Sequence, residues 1–199
     1  MRKLELETRR LRVFLPSLDE ANSALAYFSS NKSHLKATDP VLPLKFYILD
    51  YWEKRLNQSL DEFDRDESVR LFIETIESPN TFIGSINFTQ IARGPFQACY
   101  LGYSIDHGFE GKGLMSEALR AGIQYIFQKK HLHRIMANYL PDNQRSANTL
   151  HRLGFRIDGS SPDYLYIKGA WRNHILTSLT NREWTPREED QAMFASQSM

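Results

Sequence analysis

Between Cys99 and Lys130 a strand-like run, a turn with two glycines and a long apolar-faced helix follow one another, and few folds accommodate that order. The run Cys99-Tyr100-Leu101-Gly102-Tyr103-Ser104-Ile105 reads as a strand. Glu110-Gly111-Lys112-Gly113-Leu114-Met115-Ser116 turns the chain. Leu114 to Lys130 reads as a helix with Leu114, Ala118, Leu119, Gly122, Tyr125 and Ile126 on one broad apolar face. Ile135-Met136-Ala137-Asn138-Tyr139 then reads as a second strand. A strand–helix–strand crossover implies parallel pairing. The turn also predicts an anion site. Glycines admit close backbone approach, and the first helical N–H groups have no helical partners. The macrodipole adds roughly half a positive charge there. The chemistry expected is a grip on the phosphates of a nucleotide-like cofactor.

The flanking sequence predicts the rest of the sheet. Leu11 to Leu15 is a strand ended by Pro16-Ser17. Ser17-Leu18-Asp19-Glu20 fits a capping box, after which Leu18, Ala21, Leu25 and Phe28 repeat at helical spacing. Beyond Pro40 and Pro43 a second helix is expected, with Leu44, Ile48, Tyr51, Trp52 and Leu56 on one face. Residues 57–67, rich in Asp and Glu (Asp61, Glu62, Asp64, Asp66, Glu67), read as a solvated loop. Val69 to Glu74, Thr81 to Phe88 and Ala98 to Ile105 form an antiparallel meander, with Ser78-Pro79-Asn80 as the first turn and Arg93-Gly94-Pro95 before the last strand. After Pro141-Asp142-Asn143 comes a short helix that buries Ala147, Leu150 and Leu153 and stops at Gly154. Phe155-Arg156-Ile157 resumes the sheet. Tyr164 to Lys168 and Trp171 to Thr180 close a hairpin about Gly169, and from Trp184 onward the tail reads as polar and loose. The predicted order is β-α-α-β-β-β-α-β-α-β-β, an α/β fold with a mixed, mostly antiparallel twisted sheet flanked by helices. The 199 residues fit one domain, 1–186, with 187–199 as a flexible tail.

Composition narrows the partners. A net charge of +1 gives no basic excess for polyanion binding, so no direct DNA binding is expected. Cys99 is the only cysteine, which excludes an intrachain disulfide and a cysteine-rich zinc site. It lies in an apolar run, as a buried structural thiol does. His131, His133 and His151 are scattered, and no metal is expected. No export-like apolar segment opens the sequence and none approaches a membrane span, so a cytoplasmic protein without membrane contact is expected.

The element order and two motifs resemble the GNAT N-acetyltransferase superfamily. Its phosphate-gripping loop has the form (Gln or Arg)-x-x-Gly-x-(Gly or Ala). Here Glu110 stands at the first position, Gly113 matches, and Met115 replaces the small residue. Asn143-Gln144-Arg145-Ser146 followed by Leu153-Gly154-Phe155 is similar to the family's Asn-x-x-Ser…Leu-Gly-Phe element. An asparagine after Pro-Asp also caps a helix. Over residues 5–186 the chain further resembles the RimJ-like branch of ribosomal-protein-alanine N-acetyltransferases. The segments 98–105, 111–115 and 131–139, Trp171-Arg172 with His174, Arg93-Gly94 and Glu183-Trp184-Thr185-Pro186 carry that likeness.

The resemblance implies acetyl-CoA as cosubstrate and, as acceptor, the N-terminal alanine of the fifth small-subunit ribosomal protein. Contact with the small ribosomal subunit during assembly would be a further partner. It implies that Gly111, Lys112, Gly113, Leu114, Met115 and Ser116 surround the diphosphate, and that Asn143 and Ser146 reach the pantetheine arm and sulfur. In the family the fourth sheet strand parts from the fifth to admit the cofactor, which places Leu101, Tyr103 and Ile105 along it. A backbone N–H near Tyr103 is then the oxyanion donor candidate, and Gly102 offers a bulge. Many relatives use a tyrosine acid at the position of Leu150. Another branch uses the serine that maps to Ser146, the acid candidate here. That branch's glutamate falls at Leu165, so Asp163 nearby and Glu74 on a sheet strand are base candidates. A base is not obligatory, because an α-amino group titrates near 7.7–8.0. Three alternatives stand beside this function: acetylation of a small amine or antibiotic, a non-catalytic ribosome-assembly module, and a Rossmann-type dinucleotide enzyme, which the late position of the single glycine turn disfavours.

Overall fold

The computed structural model describes residues 2–35, 43–188 and 190–191. Eight strands form one sheet in the order β1-β2-β3-β4-β5-β6-β8-β7. They are β1 (Glu5–Glu7), β2 (Leu11–Phe14), β3 (Val69–Thr75), β4 (Ser78–Ala92), β5 (Ala98–Ile105), β6 (Arg134–Tyr139), β7 (Arg156–Ile167) and β8 (Ala170–Thr180). The α-helices are α1 (Ala21–Ser30), α2 (Lys32–Leu35), α3 (Leu49–Asp64), α4 (Leu114–Gln128) and α5 (Gln144–Arg152). Among the described residues only β5 and β6, joined through α4, pair in parallel; every other neighbouring pair is antiparallel. This is the mixed sheet expected, with one strand more.

Strand alternation sorts side chains between two layers. Leu11 and Val13 of β2 and Leu71 and Ile73 of β3 face the core under α4, with Ile86, Phe88, Leu119 and Ile126. Phe14 and Phe72 face the other way, into an aromatic cluster with Tyr27 of α1 and Trp52 of α3. Glu20 reaches back to accept from the Ser17 backbone N–H at 2.8 Å, as the capping-box pattern predicts.

Several expectations need correction. β1 was not foreseen; it is three residues long and flanked by charge. The acidic stretch 57–67 is mostly the second half of α3, not a loop. Its Glu62 faces inward and accepts from Arg55, Ser68 and Arg70. The first hairpin turns at Ile76-Glu77, because Thr75 pairs Ser78. Ser78-Pro79-Asn80 instead opens β4 with an irregularity in which Asn80 takes φ 66° and its N–H donates to Glu74. Residues 156–157 and 164–167 belong to one long strand, β7, whose bulges kept its halves apart in the sequence pattern, while Phe155 precedes the strand and Lys168 lies in the turn after it. The hairpin about Gly169 is present, with Lys168 and Gly169 both at positive φ as a two-residue primed turn requires.

Trp184, Thr185, Arg187 and Asp190 are held by hydrogen bonds rather than loose. Trp184 Nε1 donates to the His131 carbonyl at 2.8 Å, and His131 Nε2 donates to the Thr185 carbonyl. Asp190 is buried and accepts from Gln97 Nε2 and the Arg187 N–H. Pro40 and residues 192–199 lie outside the described residues. No helix among the described residues is long and apolar enough to cross a membrane.

A candidate active-site cleft where two strands part

The sheet opens at its one parallel pair. β5 and β6 pair from Ala98/Arg134 to Leu101/Ala137 and no further, although both strands run on. The hydrogen-bond alternation of β5 shows what faces the opening. Asp106 N–H donates to the Ile83 carbonyl at 2.8 Å, and the β4–β5 register is unbroken from Gly84/Ile105 to Thr89/Tyr100. In an antiparallel ladder, hydrogen-bonded and non-hydrogen-bonded pairs alternate. Ser104 and Gly102 therefore bond to β4. The backbone groups of Tyr103 and Ile105 point away from β4, into the gap left by β6. Gly102 makes no bulge; it pairs Asn87 in regular register.

A cleft of roughly 500 Å³ occupies this place. β5 supplies Tyr103, Ser104 and Ile105, the turn and α4 supply Gly111, Gly113, Leu114, Met115 and Ser116, and α5 supplies Arg145 and Ser146 behind Asn143. Nine of the residues singled out in the sequence thus meet: Tyr103, Ile105, Gly111, Gly113, Leu114, Met115, Ser116, Asn143 and Ser146. Leu101 does not; it is buried in the core. Lys112 does not either. Its Nζ donates back to the Gly108 carbonyl at 2.7 Å.

The turn has anion-binding geometry. Gly111 and Gly113 take φ of 72° and 73°, where a side chain is strained. The first bond of α4 runs from Glu117 N–H to the Gly113 carbonyl, which leaves the amides of Leu114, Met115 and Ser116 without helical acceptors. A brace from the β1–β2 turn holds the loop. Arg10 Nη1 donates to the Lys112 carbonyl at 3.1 Å, and Glu117 accepts from Thr8 Oγ1, Arg10 N and Arg10 Nε. Burial alone would raise the Glu117 carboxyl; those bonds outweigh it and hold the group below its ordinary range.

Glu110, a carboxylate at the head of an anion-binding turn, is neutralised by a collar. Arg145 Nη1 donates to it at 2.6 Å, and His34 Nε2 and His107 Nδ1 lie 3.3 and 3.5 Å from its oxygens. His34, His107 and Glu110 are the one group of histidines and carboxylates with metal-like spacing among the described residues. The Arg145 guanidinium already pairs with Glu110, and that contact accounts for the carboxylate's place in the cluster. Sequence spacing gave no hint of this, since His34 sits on α2, far away along the chain.

On α5, Asn143 caps the helix by accepting from the Ser146 N–H at 3.1 Å. Ser146 Oγ lies 2.8 Å from the Tyr103 hydroxyl. Burial pushes the Tyr103 phenol up to about 12, against a smaller opposing effect of the Ser146 bond. The base candidates fare differently. Asp163 sits exposed in an irregular part of β7 at φ 46°, and it is not among the residues lining the cleft. Glu74 is buried away from the cleft. Burial would raise its carboxyl, but Arg2 at 3.0 and 3.1 Å and the Asn80 N–H hold it low. Leu150 is core, and burial pushes the Cys99 thiol up to about 12.

The family model described as an acetyltransferase (GNAT) domain matches residues 10–156. The chain is 44% identical over 184 residues to the ribosomal protein uS5-alanine N-acetyltransferase of Escherichia coli, covering 92% of this chain and 94% of that one. The solved ribosomal-protein-S5-alanine acetyltransferase from Vibrio fischeri superposes with a TM-score of 0.89 at 35% identity, covering 92% of this chain and all of the other. Mycobacterium smegmatis RimJ, solved in complex with CoA-disulfide, shares the fold with a TM-score of 0.80 at 23% identity, over 94% of this chain and 89% of that one.

Proposed function

Since the chain belongs to the GNAT acetyltransferase family, we propose that it moves the acetyl group of acetyl-CoA onto the N-terminal alanine of ribosomal protein S5. It is an acetyl-CoA-dependent N-acetyltransferase. The observation that carries the choice of acceptor is the near full-length match to the uS5-alanine enzyme. A small amine or antibiotic as acceptor, or a role without turnover, has no comparable support. A RimJ-like role in the cytoplasm, with contact to the small subunit during assembly, extends the same proposal.

Each residue role below belongs to that proposal. The amides at the start of α4 and the turn around Gly111 and Gly113 hold the diphosphate. The pantetheine arm lies along the open edge of β5, where it bonds to backbone groups that β6 has left free. The Tyr103 N–H, facing that opening, donates to the thioester oxygen as negative charge builds on it. The amine attacks the thioester carbon, a C–N bond forms, and the C–S bond breaks with its electron pair going to sulfur. Ser146 Oγ–H donates to that sulfur. The ammonium proton leaves to water. Glu110 is the one carboxylate lining the cleft among the described residues, and it is already held by Arg145. Holding both substrates in attack geometry contributes up to about 7–11 kcal/mol.

Purified protein is incubated with acetyl-CoA and a peptide bearing the S5 N-terminus, in competition with the same peptide beginning with serine and with a polyamine. Mass spectrometry is expected to find the acetyl group on the alanine terminus first. Preferential acetylation of the polyamine would overturn the assignment.

A further inference from the structure

Ser146 has one hydroxyl proton, and a donor to the departing sulfur must point that proton into the cleft. The Tyr103 hydroxyl stands 2.8 Å from Ser146 Oγ and 3.5 Å from the Ser146 carbonyl, which only accepts. A phenol is a far stronger acid than an aliphatic alcohol and is the better donor of the two. Burial keeps the phenol protonated at cell pH. The Ser146 N–H is fixed on Asn143, which anchors the start of α5 that carries this hydroxyl. Tyr103 also lies on β5 beyond the last β5–β6 pair, so its bond to α5 spans the mouth of the gap between the strands.

We propose that the Tyr103 hydroxyl is a positioning group: it donates to Ser146 Oγ and thereby turns the Ser146 proton toward the sulfur of bound coenzyme A. This rests on the cofactor placement above and adds a role that the Tyr103 backbone does not supply. No proton moves from tyrosine to sulfur. A phenol pushed up to about 12 is a weaker acid than an ordinary thiol, so passing its proton to the thiolate is uphill. The pair works through an oriented hydrogen bond, which favours the thiolate over the thiol.

The test is a spectroscopic titration of the coenzyme A thiol bound to the full chain, with turnover measured separately. In the unaltered protein the bound thiol is expected to titrate about one unit below the free thiol. Tyr103→Phe and Ser146→Ala are each expected to remove most of that shift, and the double variant no more than either alone. On turnover, Tyr103→Phe is expected to lower kcat about tenfold with KM for acetyl-CoA unchanged, and to have no effect in a Ser146→Ala background. A bound thiol that titrates as the free one, a Tyr103→Phe variant that titrates as the unaltered protein, or effects that add in the double variant would overturn the proposal. A merely structural tyrosine would shift KM and act equally in both backgrounds. Failure of the acceptor assignment shows instead as loss of peptide acetylation, and the thiol titration does not depend on it.

Discussion

At the level of single residues, the turn glycines are the part of the site most legible from sequence. Positive φ at two positions before a helix has one cheap chemical solution, and the sequence shows it. Gly113→Ala puts a side chain at φ 73°, with only Arg10 Nη2 near its Cβ at 3.8 Å. The strain is therefore conformational, of about 1–2 kcal/mol. If the turn relaxes in the free protein, coenzyme A must restore the strained form, and its Kd is expected to rise roughly tenfold; calorimetric titration checks this. An unchanged Kd together with an altered turn in the free protein would mean that the turn does not touch the diphosphate. The neutralisation of Glu110 was not legible. His34 and Arg145 come from two other elements, and nothing local to the turn announces them. Asp163 is the opposite case: it lies near a motif position in sequence but is not among the residues lining the cleft. Asp163→Asn is expected to leave kcat within a few-fold, far from the ~10²-fold or more that a general base contributes. A loss of that larger size with cofactor binding intact would restore it as the base.

At the level of elements, periodicity predicted what faces the core and missed what charges do. The stretch 57–67 reads as solvated because acidic residues crowd it. Yet Glu62 is two turns along α3 from Arg55 and opposite Arg70 on β3, and both guanidinium groups reach it. The partner on β3 is visible only once the helix is docked. Burial alone would raise the Glu62 carboxyl; Arg55, Ser68 and Arg70 override it and bring it to about 2. A carboxyl held below its unfolded value stabilises the fold fully above the unfolded value near 4.5, and this contribution fades as pH falls from there toward 2. Glu62→Gln is expected to lower stability by about 2 kcal/mol at neutral pH, and the difference should narrow across that acid window. Urea unfolding at a series of pH values measures it, and a pH-independent difference would show that charge is not the cause. Gly122 of α4 presents a different contest. A Cβ there would lie 3.0 and 3.2 Å from two ring atoms of Phe88, which is fully buried on β4. Alanine gains about 1 kcal/mol of helix propensity, while overpacking costs about 1–3 kcal/mol. The ring must give by a few tenths of an ångström inside a packed core, so Gly122→Ala is expected to be net destabilising by about 1 kcal/mol, read as a lower Tm. A gain in Tm would mean that α4 shifts to make room.

At the level of the whole molecule, the site is a defect in the sheet, and that explains why its residues were more legible than its shape. Pattern along the chain identifies strands; it does not say where two of them stop pairing. The expectation that β5 and β6 part came from resemblance. The register gives its extent: four paired positions, Ala98 to Leu101, after which β5 continues alone. On one side of this opening the sheet is held by β1 to β5 with α1, α3 and α4. On the other side β6, β8 and β7 carry α5, and Trp184 bonds to the His131 carbonyl just before β6. A cofactor that bonds to β5, the start of α4 and α5 joins the two sides as a missing strand would. Ligand binding to the native state alone, at a hundred times its Kd, adds about 2.7 kcal/mol, which for a chain of this size raises Tm by roughly 5–10 °C. Coenzyme A is expected to do this, whereas pantetheine at the same concentration should produce little shift, because it lacks the diphosphate proposed to sit on the α4 amides. Differential scanning calorimetry separates the two. Equal shifts from both compounds would move the source of affinity from the glycine turn to the open edge of β5.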